Sequence, residues 1–225
     1  MQKIIEPIIH ILYLTYIFLM GSYFLRNALG NKLYKGFGYL AVTLGLADLC
    51  YLIPRMYALL TTGIEDNLKF IGWGRILNSI IITFLFIILY EITNKRYSRK
   101  DNVPLNKTFY FLTIMRIVLC LMPPNNWFEM IPNSIFALIR FIPLALMGVL
   151  LLLIIFIHSK MHRDVHFQII LLGVFLLLPT IEPLIYFKDS STFIIALTIL
   201  RTVTLNIIIL LGFKELRKIT ELSRY

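Results

Sequence analysis

Charge is scarce in this chain, and acid is scarcer than base. Of 225 residues only 15% are charged, with twelve Asp and Glu against twenty-two Lys and Arg; an ordinary soluble domain carries about 25%. With 59% hydrophobic residues and a mean hydropathy of +0.81, that shortage excludes a water-soluble globular domain and points to an integral membrane protein. Cysteine is nearly absent too. Cys50 and Cys120 fall in different apolar segments, so both read as small core residues and not as a disulfide. Long polar linkers are missing, which leaves no soluble domain or tail to house a separate activity. A cleavage site of the small-x-small kind does not follow the first apolar run, which Glu6, Pro7 and His10 interrupt, so that run reads as the first helix and not as a signal peptide.

Several chemistries lack their residues. An intramembrane hydrolase needs Ser or Cys with His at similar depth, and His10 has no such companion at its end of the chain. The last apolar segment has no interior lysine for a retinal Schiff base. Neither the GFG at 36 nor the GWG at 72 is followed by the Lys-Ser/Thr pair of a phosphate loop. His158, His162 and His166 are spaced four apart, as for a metal on one continuous helix, but the chain must turn between two segments there. A polar loop is the better reading. No catalytic residue, metal or cofactor is assigned.

What the chain does have is length in its apolar runs. Crossing a hydrocarbon core of about 30 Å takes about 20 helical residues, and seven runs qualify, at about 4–25, 36–61, 69–92, 107–123, 131–157, 166–187 and 192–214. The expected fold is an all-α membrane protein, a seven-helix bundle forming one transmembrane domain over 1–225. The net charge of +10 reflects the lipid bilayer as partner and not nucleic acid, because the basic residues are unevenly distributed. Fourteen Lys and Arg lie in loops one, three and five and the C-terminal tail, against Lys3, Lys69 and Lys188 on the other side. The positive-inside rule then places the N-terminus outside and the C-terminus in the cytoplasm of a plasma-membrane protein. Trp73 and Trp127 fall at the predicted outer boundary, where interfacial aromatics belong.

Five arginines remain, all inside apolar runs: Arg55, Arg75, Arg116, Arg140 and Arg201. Each lies roughly 8 to 12 Å below its predicted outer end, so the five share one layer. The acids set against them are Asp48 in the second segment, Glu182 in the sixth and Glu6 near the outer end of the first. Asp48, Tyr51 and Arg55 stand at i, i+3 and i+7, one face of a helix; Arg75 and Asn78 share a face of the next, and Asn133 aligns with Arg140. A charge at the bilayer centre costs at least about 2.5 to 3.5 kcal/mol and normally faces the bundle interior. Any single arginine can snorkel or pair with an acid merely to join helices. Five cations against three acids leave two that an anion would satisfy, and arginine's planar fork suits carboxylate or phosphate. The candidate ligand-binding set is therefore Arg55, Arg75, Arg116, Arg140, Arg201, Asp48, Tyr51, Asn78 and Glu182, lining an outward-facing pocket for a small anionic or zwitterionic ligand.

Pro54 should kink the second helix between Asp48 and Arg55, and Pro143, Pro179 and Pro183 interrupt the fifth and sixth. Short matches join the first three helices to the last three: LMG at 19 and again at 146, Pro54 and Tyr57 with Pro183 and Tyr186, Arg75 with Arg201. They suggest a parallel three-plus-one-plus-three repeat, an architecture that resembles the small sugar-transporter and PQ-loop proteins and the vitamin-precursor transporters. The Pro-Gln dipeptide of the PQ-loop group is absent, since Pro7 precedes Ile8 and Pro143 precedes Leu144. A nearer likeness lies in LADLCYLIPRMYALLTTGIED, GWGRILNSIIITFLFIILYEI and LMPPNNW. These stretches resemble a group of uncharacterised bacterial seven-helix proteins whose second helix carries Gly-Asp, then an aromatic-rich stretch and Pro-Arg; Ala47 stands in the glycine position here. That likeness implies a fold and no activity. The function expected is transport of a small solute, with Asp48 placed to carry a coupling proton. A seven-helix receptor signalling to a cytoplasmic protein partner is the alternative, and a membrane-embedded lipid-modifying enzyme the second.

Overall fold

The computed structural model describes residues 2–28, 30–98, 103–177 and 191–222. They form seven helices, α1 (Gln2–Asn27), α2 (Lys32–Leu60), α3 (Leu68–Arg96), α4 (Val103–Leu121), α5 (Ser134–Met161), α6 (Val165–Leu177) and α7 (Ser191–Leu222). No strand occurs among the described residues. Four stretches, Lys32–Leu60, Glu65–Arg96, Pro104–Leu121 and Ser134–Met161, are long and apolar enough to cross a membrane. The surface agrees: Leu12, Leu19, Leu121, Ile135 and Phe175 are each more than 60% exposed, an apolar exterior that water would not tolerate at this extent.

Local chemistry sets the helix ends. Asn31 and Asn133 cap α2 and α5, their side-chain oxygens accepting from Leu33 N at 2.9 Å and Ile135 N at 3.0 Å. Asn133 thus precedes α5 and does not share its polar face with Arg140, as the sequence pattern suggested. The turn at Pro123–Asn125 closes α4, since neither Pro123 nor Pro124 has an N–H to continue the ladder. GFG and GWG fall near the starts of their helices, Gly36 and Gly38 in α2, Gly72 and Gly74 in α3.

Successive helices run antiparallel through α5. Gly21 on α1 faces Val42 on α2, while Gly45 faces Phe18. Gly36 meets Ile92 of α3 at one end of that pair and Gly74 meets Pro54 at the other. A Cβ at Gly74 would collide with the Cys50 carbonyl, the acceptor that Pro54 releases from the α2 ladder. Only glycine lets α3 close over that break. The core runs along the bundle axis through Phe24, Phe37, Leu40, Phe86, Met147 and Ile208. On the far side α7 packs antiparallel to α2, with Gly212 against the Phe37 ring and Arg201 against Asp48.

Candidate functional site

The arginine layer divides into separate environments. In the middle of the bundle, Asp48 of α2 is 7% exposed. Its Oδ2 accepts from the Tyr13 hydroxyl of α1 at 2.8 Å, and its Oδ1 from Arg201 Nη2 of α7 at 3.4 Å. Three helices therefore meet at one carboxylate. Beside it Asn78 of α3 donates to the Ala47 carbonyl at 2.7 Å, tying α3 to the same level of α2. Asp48 and Arg201 also border a cavity of about 20 Å³, otherwise walled by apolar side chains that include Leu44, Ile82, Phe86 and Leu205. That is room for about one water. Tyr51 and Arg55, further along α2, are half-buried.

The end of the bundle that carries Trp73 and Trp127 holds three more of the arginines. Arg116 and Arg140 are fully buried. Arg116 donates Nε to Thr83 Oγ1 at 2.9 Å, Nη1 to the Arg140 carbonyl at 2.9 Å and Nη2 to Ser79 Oγ at 3.4 Å. Arg140 donates to Asn125 Oδ1 at 2.5 Å and lies 4.0 Å from the centre of the Trp127 ring. Asn125 in turn donates to the Leu119 and Met122 carbonyls, both at 2.7 Å, and Trp127 Nε1 to the Cys120 carbonyl at 2.8 Å. These are the carbonyls that α4 leaves without helical partners where it ends. Arg75 does the same for the following loop, reaching the carbonyls of Glu129 at 2.8 Å and Trp127 at 3.3 Å. The bonds described here for Arg75, Arg116 and Arg140 thus include several to carbonyl, hydroxyl and amide oxygens of the chain itself. Glu182 lies outside the described residues, with Pro179 and Pro183.

At the opposite, basic end stands a cluster that the search for charges inside helices passes over. Arg96, the last residue of α3, donates Nε to Asp164 Oδ2 at 2.8 Å and both Nη atoms to the Glu215 carboxylate at 3.3 Å. It joins α3, the α5–α6 turn and α7. Tyr97 beside it lies between the rings of His158 and His162, at centroid distances of 5.2 and 5.5 Å. Burial first, and then the Asp164 charge, push its hydroxyl above the usual tyrosine range, so a neutral ring fills the slot. His158 and His162 thus share a face of α5, while the chain turns before His166 opens α6. The signal available in the sequence was scarcity: an acid among so many loop cations, such as Asp164, has a high chance of a specific partner.

No protein-family model, curated protein or solved structure matches this chain.

Proposed function

We propose that this is a plasma-membrane carrier for a small zwitterionic or anionic solute, built from seven spanning helices with the N-terminus outside and the C-terminus in the cytoplasm. The observation that carries the reading is the Asp48–Arg201 pair, placed mid-bundle on two facing helices beside a cavity. An ionisable residue at that depth is costly and marks a functional site by default. A zwitterion offers the same two charges in one molecule. Its ammonium would take the place of Arg201 on Asp48, and its carboxylate would occupy the arginine fork. An anion would occupy Arg201 alone, leaving Asp48 to Tyr13 and a coupling proton. Arg55, two turns further along the same face of α2, is the second cation of the predicted set on that helix.

A cavity with room for one water admits no solute until α2 and α7 separate. The same α7 carries Glu215 at the basic end, roughly 21 Å from Arg201 along the helix axis, so a solute that opens the mid-bundle pair loosens a helix whose other hold is Arg96. Pro54 supplies the bend in α2 that such a movement uses. The parallel repeat would make α4 the connector of two triplets, and α4 packs against both α3 and α5.

Thermal unfolding of the purified protein against amino acids, carboxylates and phosphates tests the reading. At least one of these classes should raise Tm in the native chain and not in Arg201→Gln or Asp48→Asn. A ligand that stabilises all three equally, or none that stabilises the native chain, overturns it. One observation favours the receptor alternative: from the cavity toward the basic end α3 presents Ile82, Leu85, Phe86 and Leu89, all buried and apolar, so this wall offers no polar path onward. Saturable binding without uptake into proteoliposomes would select that alternative.

A further inference from the structure

A second concave site opens at the tryptophan end, away from the mid-bundle pair. It is a groove of about 430 Å³ between α3, the end of α4 and the loop that follows. Ligand sites in proteins are clefts of about 300 to 1,000 Å³, mostly apolar and aromatic with a few placed polar groups. This groove has that size and that lining. Trp73 and Ile76 form one wall, Leu121 and Met122 the other, and Trp127 and Phe128 the back and roof. The wall is fixed and not a chance gap between mobile side chains. Arg75 and the Trp127 indole pin the loop by the bonds given above, and Phe128 meets Trp73 edge to face at 5.8 Å.

The rim carries the information about the occupant. Glu129 borders the groove with an exposed carboxylate that, among the described residues, makes no ion pair. Trp73 is 58% exposed and Phe128 44%, so both offer ring surface to a cation. Lys69, exposed on α3, stands four residues before Trp73 and therefore on the same face. An anion-binding lysine and a cation-binding corner of aromatics and carboxylate thus flank one apolar slot, at the level where interfacial tryptophans sit. We infer that the groove is a site for a zwitterionic phospholipid of that leaflet. One acyl chain lies along Leu121 and Met122, the ammonium meets Glu129 and the exposed rings, and the phosphate faces Lys69.

The chain has two tryptophans and both line this groove, so intrinsic fluorescence reads it directly. The protein is placed in vesicles containing equal mole fractions of bromine-labelled phosphatidylcholine or bromine-labelled phosphatidylglycerol, and the quenching is compared. The choline lipid should quench with an apparent association about two- to five-fold stronger, the range a single exposed cation–π contact supplies. Glu129→Gln should remove most of that preference while leaving Tm unchanged, because the bond to Arg75 uses the Glu129 backbone carbonyl. Equal quenching by the two lipids, or stronger quenching by the glycerol lipid, overturns the inference; so does a preference that Glu129→Gln leaves intact. Absence of quenching by either lipid shows the groove closed to acyl chains and overturns it as well.

Discussion

Among the described contacts, the two ends of the bundle hold their arginines through different groups. At the tryptophan end, Arg75, Arg116 and Arg140 donate to carbonyls, hydroxyls and an amide. At the basic end, Arg96 sits between two carboxylates. Bonds to helix-end carbonyls complete a backbone that has no water to turn to, and losing them strands acceptors in an apolar setting. A clamp between carboxylates is held by charge at a partly wet surface, where salt and solvent weaken it. One end is a fixed cap, the other a clasp. The mid-bundle pair resembles the clasp in its chemistry and the cap in its burial, which is why we propose the solute site there.

Breaking the cap should cost most. Arg140→Ala removes a fully buried group from Asn125 and Trp127, and a loss of about 2–5 kcal/mol is expected from the cavity and the lost charged hydrogen bond, seen as a large fall in Tm or failure to purify. Asn125→Leu should approach it, because it removes the amide that joins Arg140 to the end of α4. A loss smaller than that of Arg96→Gln would reverse the assignment of cap and clasp. Gly74→Val comes next: its side chain meets the Cys50 carbonyl and Pro54, and overpacking of this kind costs about 1–3 kcal/mol.

Arg96→Gln should cost less, about 1–2 kcal/mol, because the side chain is 28% exposed and each charged bond is discounted by solvent. Salt sharpens the contrast. The gap between Arg96→Gln and the native chain should narrow as ionic strength rises from low salt to molar levels, while that of Asn125→Leu should not. The smallest effect belongs to Glu91→Ala, which removes a 3.9 Å contact to Lys95 and an exposed 3.3 Å bond from the Tyr110 hydroxyl; stability should change by no more than about 1 kcal/mol.

Much of the fold was legible in the apolar runs, because a bilayer demands helices of one length and an unbroken ladder. The ends were less legible, since a cap is a single side chain whose effect on the backbone no hydropathy window registers. Asn133 looked like part of a polar stripe and is the residue that starts α5. The arginines were legible as a set inside helices, but neither as separate levels nor as a set of partners. Spacing along one helix fixes the face a residue occupies, not which neighbour meets it. Thr83 and Asn125, which receive the buried arginines, carry no charge to mark them. Asp48 and Arg201 belonged to the same predicted set, but their pairing depends on α7 returning beside α2, a contact between residues 153 positions apart.

The central claim is that the Asp48–Arg201 pair serves exchange with a solute and not stability. The measurement that tests it most directly is the Tm of the double variant Asp48→Asn with Arg201→Gln, taken with and without the stabilising solute. Removing both charges of a buried pair together removes their desolvation costs along with their attraction and leaves no uncompensated charge. The double variant should therefore melt within a few degrees of the native chain and gain nothing from the solute. A double variant that melts as low as Arg140→Ala, or one that the solute still stabilises, would contradict the claim.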